Sequence, residues 1–182
     1  LLSRLPWKFQ RSSKGFTCAN RQLYDFLDDC GRYSDGKRVP RWILESDREC
    51  LEAFISAAVD GDGWTQNGHR TICTVSKELA DGYSEALVLL GRGATIKKRK
   101  AQGMAISSID GRSFNGMKDQ YHVSEIRTKA RHLKTGPSCP PVISRQNYQG
   151  RVYCVTVPNG TLVLRRSGKT FIAGNCAVYA IA

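Results

Sequence analysis

The sequence predicts an α+β fold, with helices and strands mixed through most of the chain and a small all-β segment at its end. Two capped amphipathic stretches, "SDRECLEAFISAAVDGDGW" and "SKELADGYSEALVLLG", carry apolar residues at helical spacing. Each is followed by a strand-like run, "RTICTV" and then "ATIKKRK". Beyond a glycine- and proline-bearing stretch, "RVYCVTVPNGTLVLRRSGKTFIAGN" alternates as a meander, with Asn159-Gly160 and Ser167-Gly168 as turns.

In chain order, residues 1–20 read as a basic, strand-like lead-in. In "NRQLYDFLDDCG", Leu23, Phe26 and Leu27 share a helical face between an N-cap at Asn20 and a stop at Gly31. "RYSDGKRVPRWIL" reads as a loop. The next helix has Ser46 and Glu49 at capping-box spacing, with Cys50, Leu51, Phe54, Ile55, Ala57 and Ala58 on a broad apolar face. Ser56, Ala57 and Ala58 are small enough to let a second helix approach closely. "MAISSIDGRSFNGMKDQYHVSEI" reads as strand segments broken by glycine turns, and "RTKARHLKTGPSCPP" ends in a linker.

Of the 182 residues, 28 are Lys or Arg and 16 are Asp or Glu, for a net charge of +12. The excess is uneven. Residues 1–60 hold 10 basic and 9 acidic side chains, residues 61–135 hold 13 and 7, and the last 47 hold 5 and none. That distribution favours a polyanionic partner that exchanges its counterions for Lys and Arg. The 7 cysteines lack C-x-x-C spacing and argue for a reducing compartment and against a disulfide scaffold. With 3 histidines and none beside paired cysteines, a structural zinc site is not expected. No apolar run reaches transmembrane length, so no membrane partner is expected, and the start at Leu1 reads as a fragment.

"VDGDG" puts Asp60 and Asp62 at the C-terminal end of a helix, where the dipole disfavours negative charge. A divalent cation would offset that placement, and carboxylate oxygens suit Mg²⁺. A polar cap and turn would also account for two aspartates between glycines. An EF-hand does not fit, because Trp64 and Thr65 stand where its loop needs a ligand and a glycine.

"ISAAVDGDG" resembles the LAGLIDADG (DOD-type) motif of homing endonucleases. The resemblance extends over roughly residues 20–100, through "QLYDFLDDCG", "KRVPRWILESDRECLEAF" and "TVSKELADGYSEALVLLGRGATIKK". It implies a helix whose small residues pack against a second motif helix, and a saddle-shaped antiparallel sheet that binds double-stranded DNA. It makes Asp62 the catalytic, metal-binding carboxylate, with Asp60 near the helix interface and Mg²⁺ as cofactor. Ala57 stands where the family usually has glycine. The visible motif reads as the second of two, so the first would come from an upstream repeat or, in a homodimer, from another copy. Candidate DNA contacts are Arg70, Lys97, Lys98, Arg99, Lys100 and Arg112, with Lys98 or a neighbour as a basic active-site residue.

The stretch "RVYCVTVPNGTLVLRRSGKTFIAGNC" resembles the C-terminal splicing blocks of inteins. That resemblance makes Asn175 the cyclising residue and Cys176 the first residue, and nucleophile, of the downstream flank. Gly174 replaces the usual penultimate histidine, and Cys154 replaces the usual block aspartate; the resemblance leaves Cys154 as a branching nucleophile, as in one intein class, as a plain strand residue or, the favoured reading since Cys176 supplies the nucleophile, as a structural or assisting residue. The implied layout is the end of a first repeat and linker (1–45), an endonuclease repeat (46–135), a Hint-like splicing segment (136–175) and host protein (176–182). The implied partners are DNA and an N-terminal intein half, in the cytoplasm of a bacterial or phage-infected cell. The alternatives are a splicing fragment with a decayed endonuclease and a non-catalytic basic nucleic-acid-binding protein.

Overall fold

The computed structural model describes residues 2–13, 15–99, 103, 105–107, 113–115, 118–126, 147–151, 153 and 155–174. A single 3-10 turn (Leu2–Arg4) precedes a short hairpin, β1 (Gln10–Ser12) and β2 (Gly15–Thr17). Helix α1 (Arg21–Asp28) follows, and the Asn20 side chain accepts a hydrogen bond from the Leu23 N–H at 2.8 Å, as the cap reading expects.

Helix α2 (Arg41–Leu44) occupies part of the stretch expected as a loop. Its N-cap is Pro40, whose φ of −62° already matches a helix entry, and Leu44 buries against the core. Helix α3 (Arg48–Asp62) begins one residue later than the capping-box reading expects. Its cap is Asp47, which accepts from the Cys50 N–H at 2.8 Å. Ser46 instead donates backward to the Ile43 carbonyl at 2.6 Å, closing α2. With so short a connection between the helices, Ser46 ends one and Asp47 starts the other.

The chain passes from α3 straight into β3 (Gly63–Gln66), which turns through Asn67-Gly68 into β4 (His69–Thr74). Both turn residues have positive φ, 50° and 74°, the requirement of a tight hairpin that follows the strand twist. Helix α4 (Lys77–Leu89) is capped by Ser76, and β5 (Gly93–Arg99) follows. A small separate hairpin, β6 (Ala105–Ser107) and β7 (Ser113–Asn115), precedes β8 (Gln120–Ile126). The last described elements are β9 (Thr161–Arg166) and β10 (Lys169–Gly174), joined at the expected Ser167-Gly168 turn.

Six strands make one antiparallel sheet in the order β3-β4-β8-β5-β10-β9. The C-terminal strands, read from sequence as the start of a separate all-β unit, form its outer edge. Helices α3 and α4 cover one face. Leu51, Ile55 and Val59 of α3 and Leu79, Tyr83 and Leu87 of α4 pack over Ile72, Val123 and Ala94 of the strands. Burying each large apolar side chain contributes about 1.5–3 kcal/mol, so this seam fixes α3 on the sheet. Among the described residues, no helix is long and apolar enough to cross a membrane.

Candidate functional site

Helix α3 ends without a C-terminal cap hydrogen bond and carries no basic residue in its last turn. Asp60 and Asp62 are both exposed there, and neither has a hydrogen bond or ion pair among the described residues. The turn out of the helix depends on Gly63. A Cβ on it would lie 2.4 Å from the Thr71 carbonyl oxygen and 2.9 Å from the Val59 backbone, so only glycine lets β3 run this close under the helix. The Asp62 charge is felt on both sides of the sheet. Burial, reinforced by Asp62, pushes the Tyr83 phenol up to about 12 and raises the Cys73 thiol.

Strand register sorts the basic residues by face. Directly paired residues share a face, and Ile72, Val123, Ala94 and Ile96 face the helices. Arg70 lies on that side. It donates to Glu125 at 2.6 Å, to Glu52 of α3 at 3.2 Å and to Ser56 at 3.4 Å. Arg92 joins the cluster, reaching Glu52 at 2.8 Å and Glu125 at 3.3 Å. Lys98 pairs with Asp119 at 2.8 Å, and Arg165 with Asp81 of α4 at 2.6 Å.

The opposite, outer face differs in kind. Trp64 and Gln66 come from β3, and His69, Thr71 and Cys73 from β4. Gln120, His122 and Ser124 come from β8, and Thr95, Lys97 and Arg99 from β5. No Asp or Glu points from any described strand position on this face, and Lys97 and Arg99 have no carboxylate partner among the described residues. The polar groups also link to one another. Thr71 and Ser124 share a hydrogen bond of 3.0 Å, and the Cys73 thiol donates to the Gln120 side-chain oxygen at 3.8 Å. Trp64 meets the His122 ring edge-on, with centroids 5.3 Å apart. The buried His122 Nε2 has no hydrogen-bond partner among the described residues, and burial together with the nearby Arg99 holds this histidine below its usual value.

The expected site residues therefore separate. Lys97 and Arg99 stand on the open outer face, on β5. Arg70, expected to contact DNA, has its guanidinium taken up by Glu125 and Glu52 on the helix side. Lys98 lies on the helix side with Asp119. Lys100, Arg112, Cys154, Asn175 and Cys176 lie outside the described residues. The sequence reading does not single out Gln66, His69, Gln120 or His122, although the alternation in "QYHVSEI" carries the facing of Gln120 and His122.

Among the described residues, no group of three or more His, Cys, Asp or Glu side chains could hold a metal ion. An Asp62 carboxylate, exposed and without a partner, nonetheless fits Mg²⁺, which binds through one or two carboxylates, substrate phosphates and water.

A profile of the LAGLIDADG-like domain matches residues 49–132, from the first turn of α3 to beyond β8. That segment belongs to the LAGLIDADG-like family. The LAGLIDADG-like domain thus contains α3 with its acidic tip, the ion-pair cluster and most of the outer sheet face, while β9 and β10 lie beyond the match.

The chain is 33% identical over 206 residues to the DNA-directed RNA polymerase subunit beta C-terminal section of Stigeoclonium helveticum, covering 94% of this chain and 18% of that protein. It is 26% identical over 148 residues to the ribonucleoside-diphosphate reductase subunit beta of Aquifex aeolicus (strain VF5), covering 78% and 19%. It is also 30% identical over 83 residues to the replication factor C small subunit of Methanocaldococcus jannaschii, covering 44% and 4%. The chain spans less than a fifth of the length of each of these relatives.

Proposed function

We propose that this chain is the C-terminal part of an intein whose LAGLIDADG-like domain is a homing endonuclease making metal-dependent double-strand cuts in DNA. The carrying observation is that a polymerase section, a reductase subunit and a replication factor subunit, unlike in function, each match this chain over a small part of their length. Such a pattern suits an element inserted into different hosts rather than a shared host activity.

In this reading, residues 1–45 close a first repeat, 46–135 form the second, 136–175 are a Hint-like splicing segment and 176–182 begin the downstream host. The setting is the reducing cytoplasm of a bacterial or phage-infected cell. Ala53, Ala57 and Gly61 recur at i, i+4 and i+8 on the exposed face of α3, a surface that suits a second motif helix. That helix would come from an upstream repeat or, in a homodimer, from a second copy. DNA would lie on the outer face, where Lys97 and Arg99 take phosphates and Gln66 and Gln120 offer hydrogen bonds to base edges. Lys100 and Arg112 remain candidate phosphate contacts. Asp62 would hold the metal and Asp60 would sit beside the helix interface. A bound Mg²⁺ would polarise the scissile phosphate and activate water.

At the junction, the Asn175 side-chain amide nitrogen would attack its own carbonyl carbon. A cyclic imide forms, the bond to Cys176 breaks and the released amine takes a proton. Before that step, the Cys176 thiolate would take over the upstream flank as a thioester. Cys154 would assist or brace the junction.

With the upstream portion supplied, the complete protein should cut a duplex of the uninterrupted host gene in Mg²⁺, and Asp62→Asn should bind without cutting. No cutting by the wild type sinks the endonuclease reading. Mass spectrometry should detect a product that begins at Cys176 and is absent in Asn175→Ala; an intact wild-type junction would overturn the splicing reading.

A further inference from the structure

We propose that the C-terminal hairpin β9–β10 is itself part of the DNA interface, with Arg166 and Lys169 binding phosphates of the duplex. The proposal rests on the reading of the outer sheet face as the DNA-facing one, and extends that face past the end of the LAGLIDADG-like domain.

The hairpin is joined to the sheet edge by specific contacts. Lys169 pairs with Thr95, and the Ile96 N–H donates to the Gly168 carbonyl at 2.6 Å. The Thr170 hydroxyl both accepts from the Ala94 N–H and donates to the Ala94 carbonyl, each at 3.1 Å. Gly168, with φ +74°, leaves no room for a side chain, since a Cβ would lie 2.0 Å from the Ile96 carbonyl oxygen.

That docking decides which way the hairpin's cations point. Lys169 shares the outer face with Thr95, and its directly paired partner Arg166 shares the face with Lys169. Arg165, one residue earlier, points to the helix side and meets Asp81 at 2.6 Å. Arg166 and Lys169 are exposed and have no carboxylate partner among the described residues. With Lys97 and Arg99 they put four cations without a carboxylate partner among the described residues on this face of β5, β10 and β9, Lys169 and Arg166 level with Thr95 and the other two further along β5. Such a group suits the phosphates of a duplex, and each contact made there releases counterions.

The test is the salt dependence of duplex DNA binding by the full chain, read by fluorescence anisotropy. Each phosphate contact contributes about 0.9 to the slope of log affinity against log salt. The pair Arg166→Gln with Lys169→Gln should therefore lower the slope by about 1.8 and Arg166→Gln alone by about 0.9, while Arg165→Gln, which removes one charge from the other face, should leave it unchanged. Equal losses from Arg165→Gln and Arg166→Gln would overturn the proposal, since net charge alone would then explain the effect. No loss from the Arg166 and Lys169 pair, beside a clear loss from Lys97→Gln with Arg99→Gln, would overturn it and leave the outer face standing. No loss from either pair would overturn both.

Discussion

Arg70 and Glu125 are locked together at 2.6 Å beneath helix α3, with the Glu125 side chain only 3% exposed. The contact ties β4 to β8, and Glu52 brings α3 into the same cluster. A carboxylate buried this deeply depends on its guanidinium partners, so Arg70→Gln should lower stability by on the order of 3 kcal/mol. The urea midpoint should fall while the slope of unfolding stays constant. A wild-type midpoint would mean that Glu125 is satisfied without Arg70.

The motif's last glycine should be as sensitive as its aspartates. Gly63→Ala forces a Cβ against the Thr71 carbonyl and should cost roughly 1–3 kcal/mol, moving Asp62 with the helix end. Thermal unfolding measures the first effect. Retained full cleavage by the complete Gly63→Ala protein would show that Asp62 tolerates the shift.

The His122 ring titrates against its surroundings. Cys73 of β4 and Lys97 and Arg99 of β5 lie on the same face, and Trp64 of β3 covers it. Its folded-state value is held down by burial and by Arg99, so the stability tied to the neutral ring is present above the ordinary value of about 6.5 and lost as pH falls through the lowered one. The melting temperature should drop with acidification in that range, and His122→Gln should remove that part of the drop. An unchanged profile in the variant would assign the effect to other groups.

Much of this architecture is legible in the residues. Capping and 3.6-residue periodicity mark α1, α3 and α4, and the acidic tip of α3 stands out because aspartates oppose the helix dipole. Sidedness was harder to read. "RTICTV" looks like one strand, yet nothing local says that Arg70 turns toward two carboxylates that lie 18 and 55 positions away. The docking of β10 on β5 is invisible for the same reason, since it depends on Gly168 meeting Ile96 across 72 residues of chain. Helix α2 leaves no signal in the sequence, because four residues after a proline carry too little periodicity to register.

In the proposed function, DNA lies on the outer face of the sheet and not on the helix side. The most direct test of that claim is the salt slope of duplex binding for two variants of the full chain, Lys97→Gln with Arg99→Gln, and Arg70→Gln. The first should lower the slope by about 1.8 with its fold intact, and the second should leave the slope unchanged despite its lower stability. A slope that falls for Arg70→Gln and holds for the Lys97 and Arg99 pair would contradict the claim.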